Sequence, residues 1–118
     1  VEDAEAMLAA CAEAGVRLFY GENWVFAPAV RRAAELGAAS KGTIRELRGW
    51  ESHSGSHSTY ARDWRHTGGG ALLRLGAHPV GAMLWLKRRE GARPVSVTAE
   101  LAGDANALES AGTCAVRF

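Results

Sequence analysis

Three consecutive glycines, Gly68-Gly69-Gly70, open onto a dense apolar run, and no other stretch restricts the fold of this chain so strongly. Without a Cβ, that backbone can turn sharply or approach a ligand or another segment closely. Leu72, Leu73, Leu75, Val80, Met83, Leu84, Trp85 and Leu86 follow, and the run closes in Lys87-Arg88-Arg89-Glu90-Gly91. The pattern predicts a buried helix with cations at its carbonyl end and a glycine stop. Pro79 withholds one backbone donor, so the helix is expected to kink or to start a new turn there. Arg74 and His78 lie four residues apart and would share one face of a continuous helix. A guanidinium and an imidazole in an apolar element are costly unless something satisfies or uses them. Glu22, Glu51 and Asp63 are carboxylates that would satisfy them. In the functional reading, His78 transfers a proton and Arg74 grips an anionic or carbonyl group with forked hydrogen bonds.

The rest of the composition narrows the classes. A length of 118 residues suits one domain or part of a larger protein. Fourteen Lys and Arg against thirteen Asp and Glu leave a net charge of +1, which argues against an extended nucleic-acid surface. Arg31-Arg32 and Lys87-Arg88-Arg89 read as helix-end or solvated clusters that need no partner. Arg74, His78 and Pro79 break the longest apolar run, so no membrane span is expected. The acidic start, Val1-Glu2-Asp3-Ala4-Glu5, has no basic region of a signal peptide. Cys11 falls in a helical pattern and Cys114 in a strand-like one, which favours two thiols over a disulfide and fits a cytoplasmic setting.

Along the chain, Glu2 to Ala14 reads as an alanine-rich helix ended by Gly15, and Val16 to Tyr20 as a short strand. Pro28 suits the first turn of a helix from about Ala27 to Leu36, with Gly37 as its stop. Thr43 to Trp50 reads as a strand with one solvated side and room for a bulge at Gly49. Glu51 to Thr67 is long, polar and without a helix or strand pattern, as functional or mobile loops are. Pro94 to Leu101 alternates as a strand, and Gly112 to Phe118 begins another.

Other chemistries find less support. His53 and His57 are four apart, but Ser54-Gly55-Ser56 lies between them and no carboxylate or cysteine stands nearby at ligand spacing, so no metal is expected. No nucleophile-elbow pattern surrounds any serine. The glycine triplet carries neither a Walker nor a dinucleotide fingerprint. A stand-alone α+β module whose histidine-rich loop takes a ligand or metal is a third and weaker reading.

One family pattern runs through the chain. Ala14-Gly15-Val16-Arg17-Leu18-Phe19-Tyr20-Gly21-Glu22-Asn23 is followed by Phe26-Ala27-Pro28, a helix, Gly42-Thr43-Ile44-Arg45-Glu46-Leu47, and the segment from Gly68 through Gly81. This succession resembles the Gfo/Idh/MocA oxidoreductases, the family of glucose–fructose oxidoreductase and inositol 2-dehydrogenase. The resemblance implies an α+β (α/β) chain. Residues 1–21 would be the last helix and strand of a nucleotide-binding Rossmann domain. Residues 22–118 would begin a C-terminal substrate and oligomerisation domain, truncated here, with a mostly antiparallel sheet packed by helices. It further implies NAD or NADP, bound mainly by a domain outside this chain, and hydride transfer to or from a sugar, polyol or related hydroxy or keto substrate. The chain alone would then not turn over. His78 matches the family histidine that works in acid/base chemistry. Arg74 stands where an Asp is usual, and Gly81 where a second Asp is usual. An anionic substrate or a non-catalytic, binding or scaffolding member that kept the fold would both accommodate this charge reversal. Site candidates are His78 as acid/base, Arg74, Tyr60, His53 and His57 on the substrate side, and Asn23 toward the cofactor. Gly68, Gly69 and Gly70 would give close backbone approach, and a homo-oligomer through the sheet would follow.

Overall fold

A computed structural model describes residues 2–55, 58–103 and 108–118. Five helices and one pair of strands make up its regular structure, with two short 3-10 turns between them. Helix α1, Glu2–Glu13, begins with Glu2, Asp3 and Glu5, which suit the positive end of the helix dipole. It closes where Val16 N–H donates to the Cys11 carbonyl at 2.9 Å. The strand expected over residues 16–20 is not formed. The segment is extended, but no neighbouring edge among the described residues pairs with it, and Phe19 and Tyr20 stay 75% and 80% exposed.

A 3-10 turn over Asn23–Phe26 leads into α2, Pro28–Ala39, with Pro28 in its first turn as expected. The helix does not stop at Gly37. It runs to Ala39, and the Ser40 hydroxyl then donates to the Gly37 carbonyl at 2.7 Å, before Lys41 takes a φ of 55°. A polar clip and a left-handed residue end the helix, and the glycine inside it costs about 1 kcal/mol relative to alanine.

Residues 43–50 also differ from expectation. They form no ladder, although Thr43 to Trp50 alternates. The backbone of Ile44 is instead held by side chains from the end of α5. Its N–H donates to Glu90 Oε1 at 2.8 Å, and its carbonyl accepts from Lys87 Nζ at 3.0 Å. Lys87 Nζ also donates to Glu90 Oε2 at 2.6 Å. Both polar groups of one peptide unit are thereby satisfied, as a neighbouring strand would satisfy them. Lys87 is buried, so it is not part of a solvated cationic cluster.

The polar stretch after Trp50 is not wholly irregular. A 3-10 turn spans Thr59–Arg62, and α3 spans Trp64–Thr67, capped by the Asp63 carboxylate accepting from Arg65 N–H at 2.9 Å. The long central helix is two helices, α4 at Ala71–Arg74 and α5 at Ala77–Arg89. Gly76 N–H reaches back five residues to the Ala71 carbonyl at 3.2 Å, which opens the turn between them. Pro79 then sits in the first turn of α5, where its missing donor is tolerated. Of the two outcomes expected at Pro79, the structure adopts the new start.

Strands β1, Ser96–Ala102, and β2, Ala111–Arg117, pair antiparallel, with Ala99 opposite Cys114 and Val97 opposite Val116. Helix α4 packs on β2, and α5 packs on the 3-10 turn at residues 23–26. The fold is therefore α+β, with a two-stranded antiparallel sheet in place of a larger one. Both cysteines are free thiols. Among the described residues, no helix is long and apolar enough to cross a membrane.

Little apolar surface is enclosed. Among the described residues, Ala34, Ala61, Pro79 and Ala82 are buried apolar residues, and no large side chain is fully buried. The accessible surface is 9660 Å², whereas a compact monomer of this mass exposes about 6,200 Å². The radius of gyration, 16.5 Å, likewise exceeds the roughly 13.5 Å of a compact domain of this length. Polar tethers carry much of the tertiary organisation.

The Glu90 tether has a pH signature. The hydrogen bond from Lys87, and then that from Ile44 N–H, holds the Glu90 carboxyl below its ordinary 4.5. A lowered carboxyl value means that the stabilisation is fully present above about pH 4.5 and is lost as pH falls through the folded-state value. Protection of the Ile44 amide relative to its intrinsic exchange rate should fall across that acid range in the native protein. In Glu90→Ala the protection should be lost at every pH, and an Ile44 amide that stays protected in the variant would contradict the tether.

Candidate functional site

Only one charged residue lies between Arg17 and Arg31, and it is Glu22. It caps the 3-10 turn, its Oε1 accepting from Trp24 N–H at 2.8 Å, and it is 8% exposed. His78 enters from the first turn of α5. Its Nδ1 lies 3.1 Å and 3.2 Å from the two Glu22 carboxylate oxygens. The Trp24 ring stacks on the imidazole with 5.6 Å between centroids and 12° between planes. A buried carboxylate that accepts two N–H groups is compensated, each charge-assisted bond contributing about 1.5–3 kcal/mol. The His78 side chain retains 33% exposure.

Chemically, this is a histidine held on one face by an aromatic ring and at one nitrogen by a carboxylate. A carboxylate accepts, so Nδ1 carries a proton, and in the neutral ring Nε2 then presents a lone pair. Such an imidazole can take a proton at Nε2 and return it.

The other candidates are distributed around it. Arg74 ends α4, and its Nη1 donates to the Ala61 carbonyl at 3.3 Å. The opened turn at Gly76 interrupts the helix on which Arg74 and His78 would share a face, and the two side chains use separate partners. Of the carboxylates considered for them, Glu22 serves His78, while Arg74 is met by a backbone carbonyl. Tyr60, 65% exposed, meets His66 edge to face at 5.4 Å. His53 lies in an exposed loop and accepts Gly55 N–H at Nδ1, 2.8 Å. Asn23 follows Glu22 in the 3-10 turn and is exposed. His57 lies outside the described residues.

The glycine segment makes its close approach to protein. Gly70 N–H donates to Glu109 Oε1 at 2.7 Å, and Ala71 N–H to the Glu109 carbonyl at 2.8 Å. A Cβ on Gly70 would lie 2.8 Å from Glu109 N. Gly68, at φ 70°, closes α3 with its N–H on the Trp64 carbonyl, and Gly69 lies against Leu73. The donors that would cradle a phosphate here are occupied by Glu109. The described residues thus do not fit a dinucleotide at the glycine segment.

A cleft of about 930 Å³ opens between residues 43–53, helices α4 and α5, and β2. Leu72, Leu75, Val80 and Met83 are among its lining, whereas His78 and Arg74 are not. Charged residues such as Arg45, Glu46 and Arg48 share its lining with His53, and the Glu22–His78 pair lies outside it. Among the described residues, no group of three His, Cys, Asp or Glu could hold a metal.

Sequence reasoning named Glu22 only as one of three acids able to satisfy a cation, and it overlooked Trp24. A usable signal was present: one acid in an otherwise uncharged segment must be paired when that segment packs.

An α+β arrangement carrying a glycine-rich segment and a carboxylate-held histidine defines the class to which the comparisons then give a family. Residues 30–118 match the GFO/IDH/MocA C-terminal domain. The chain belongs to that family, a family of oxidoreductases. No curated protein and no solved structure matches it.

The glycine segment gives a stability prediction. Gly70→Ala should destabilise the protein by about 1–3 kcal/mol through overpacking against Glu109. Denaturant unfolding measures this, and an unchanged midpoint would mean that Glu109 is not seated there.

Proposed function

We propose that this chain forms the substrate side of an NAD(P)-dependent oxidoreductase, transferring hydride between the nicotinamide and a sugar, polyol or related hydroxy or keto compound. The family supports the reaction class, and the held His78 is the observation that carries the assignment of a role to this chain. In this reading, Nε2 removes the hydroxyl proton during oxidation and returns it during reduction. The dinucleotide would be held by a separate nucleotide-binding domain, consistent with the occupied donors at Gly70 and Ala71. Residues 1–21 would belong to that domain and residues 22–118 to the substrate domain. Asn23, at the junction, would face the cofactor, and Tyr60, His53 and His57 would border the substrate. The unenclosed apolar surface supports a homo-oligomer that covers it, in a cytoplasmic protein.

A non-catalytic, binding or scaffolding member is the second reading. Arg74 favours it, because a guanidinium stands where the family usually has a carboxylate, and it braces the Ala61 carbonyl.

In the complete protein, His78→Ala should lower turnover at least about 100-fold with NAD(P)H binding retained. Steady-state rates, with nicotinamide fluorescence for binding, measure both. Unchanged turnover removes His78 from the mechanism. Binding of NADH without turnover of any sugar, polyol or hydroxy acid by the unmodified protein favours the second reading.

A further inference from the structure

The carboxylate beside His78 comes from another element, and α5 is shaped to admit it. Position 81 lies three residues after His78 on α5, so a side chain there would point along the face that His78 occupies. That position is glycine. A Cβ on Gly81 would lie 2.7 Å from Glu22 Cγ, inside normal contact, and at a tight 3.3 Å from Glu22 Cδ. The volume next to the imidazole therefore holds one side chain, and Glu22 fills it.

We propose that Glu22 is the positioning residue for His78 and that Gly81 is its obligatory counterpart. Together they fix the imidazole as the Nδ1–H tautomer with Nε2 unprotonated. Three observations converge on this. Both Glu22 oxygens face Nδ1 within 3.2 Å. Trp24 N–H fixes the carboxylate from the other side, and the Trp24 ring limits rotation of the imidazole. Glu22 is buried with no other cation against it among the interactions described. Because an acid at position 81 would reach the same volume, Glu22 and position 81 are alternative sources of one carboxylate. A carboxylate from both should clash, and a carboxylate from neither should leave Nδ1 without its acceptor.

The effect on turnover rests on the acid/base reading of His78, whereas the effect on the tautomer does not. The test is made in the complete protein. Imidazole nitrogen NMR reads which His78 nitrogen bears the proton in the neutral ring, and kcat and KM are measured on the same samples. Wild type should show Nδ1–H. Glu22→Ala should shift the ring toward Nε2–H and lower kcat at least about tenfold with little change in KM. Glu22→Ala combined with Gly81→Asp should restore Nδ1–H and much of kcat, while Gly81→Asp alone should not improve on wild type. If Glu22→Ala does not fold, Glu22→Gln keeps the shape. Its amide offers both a donor and an acceptor, so both tautomers should appear. An Nδ1–H tautomer that persists unmixed in Glu22→Ala, or in Glu22→Gln, overturns the proposal, as does a double variant that fails to recover Nδ1–H. A tautomer that responds as described in a protein whose turnover survives His78→Ala leaves the positioning intact and rejects the acid/base reading alone.

Discussion

The hydrogen bond between Glu22 and His78 joins the N-terminal third of the chain to α5, and the fold depends on contacts of this kind. Among the described residues the buried apolar side chains are three alanines and Pro79, each of which removes little area from water. Two further tethers repeat the principle. Lys87 and Glu90 hold the peptide of Ile44, and Glu109 holds the first amides of α4. All three converge on residues 70–90. That stretch is the frame, and the segments around it are attached through specific polar groups. The exposed pairs Arg32–Glu35 and Arg48–Glu46 add little, because water and salt screen them.

The parts of the fold legible from sequence were those governed by local rules. The acidic start of α1, Pro28 opening α2, the restart at Pro79 and the alternation of β1 and β2 all depend on residues adjacent in the chain. The failures share another cause. Residues 16–20 and 43–50 have the composition of strands, but a strand exists only with a partner edge, and that partner is a tertiary matter. Gly37 carries the stop signal of a helix end, yet the polar clip at Ser40 and Lys41 decides the boundary. Arg74 and His78 are correctly spaced for one face, and a single opened turn at Gly76 gives them different neighbours. For the candidate site, His78 stands out in the sequence because an imidazole in an apolar run is conspicuous. The pairing with Glu22 spans 56 positions, and nothing in the local pattern selects it over Glu51 or Asp63.

Family membership and local geometry bear on different parts of the function. The match over residues 30–118 establishes an oxidoreductase family, and it leaves the substrate open. The geometry bears on His78, whose Nδ1 is engaged by Glu22. The glycine segment belongs to neither. Its position suggests a ligand cradle, but its amides serve Glu109, so its conformational freedom is used to seat Glu109 against α4.

The position of Arg74 is easier to understand from this arrangement. On an unbroken helix, Arg74 and His78 would share one face. The break at Gly76 instead sends the guanidinium toward Ala61 and leaves the carboxylate of Glu22 as the charged group at Nδ1. The guanidinium at one end of the opened turn thus has a different partner from the histidine at the other. The chain can carry an arginine in the glycine-rich segment and still hold His78 at Nδ1 by a carboxylate.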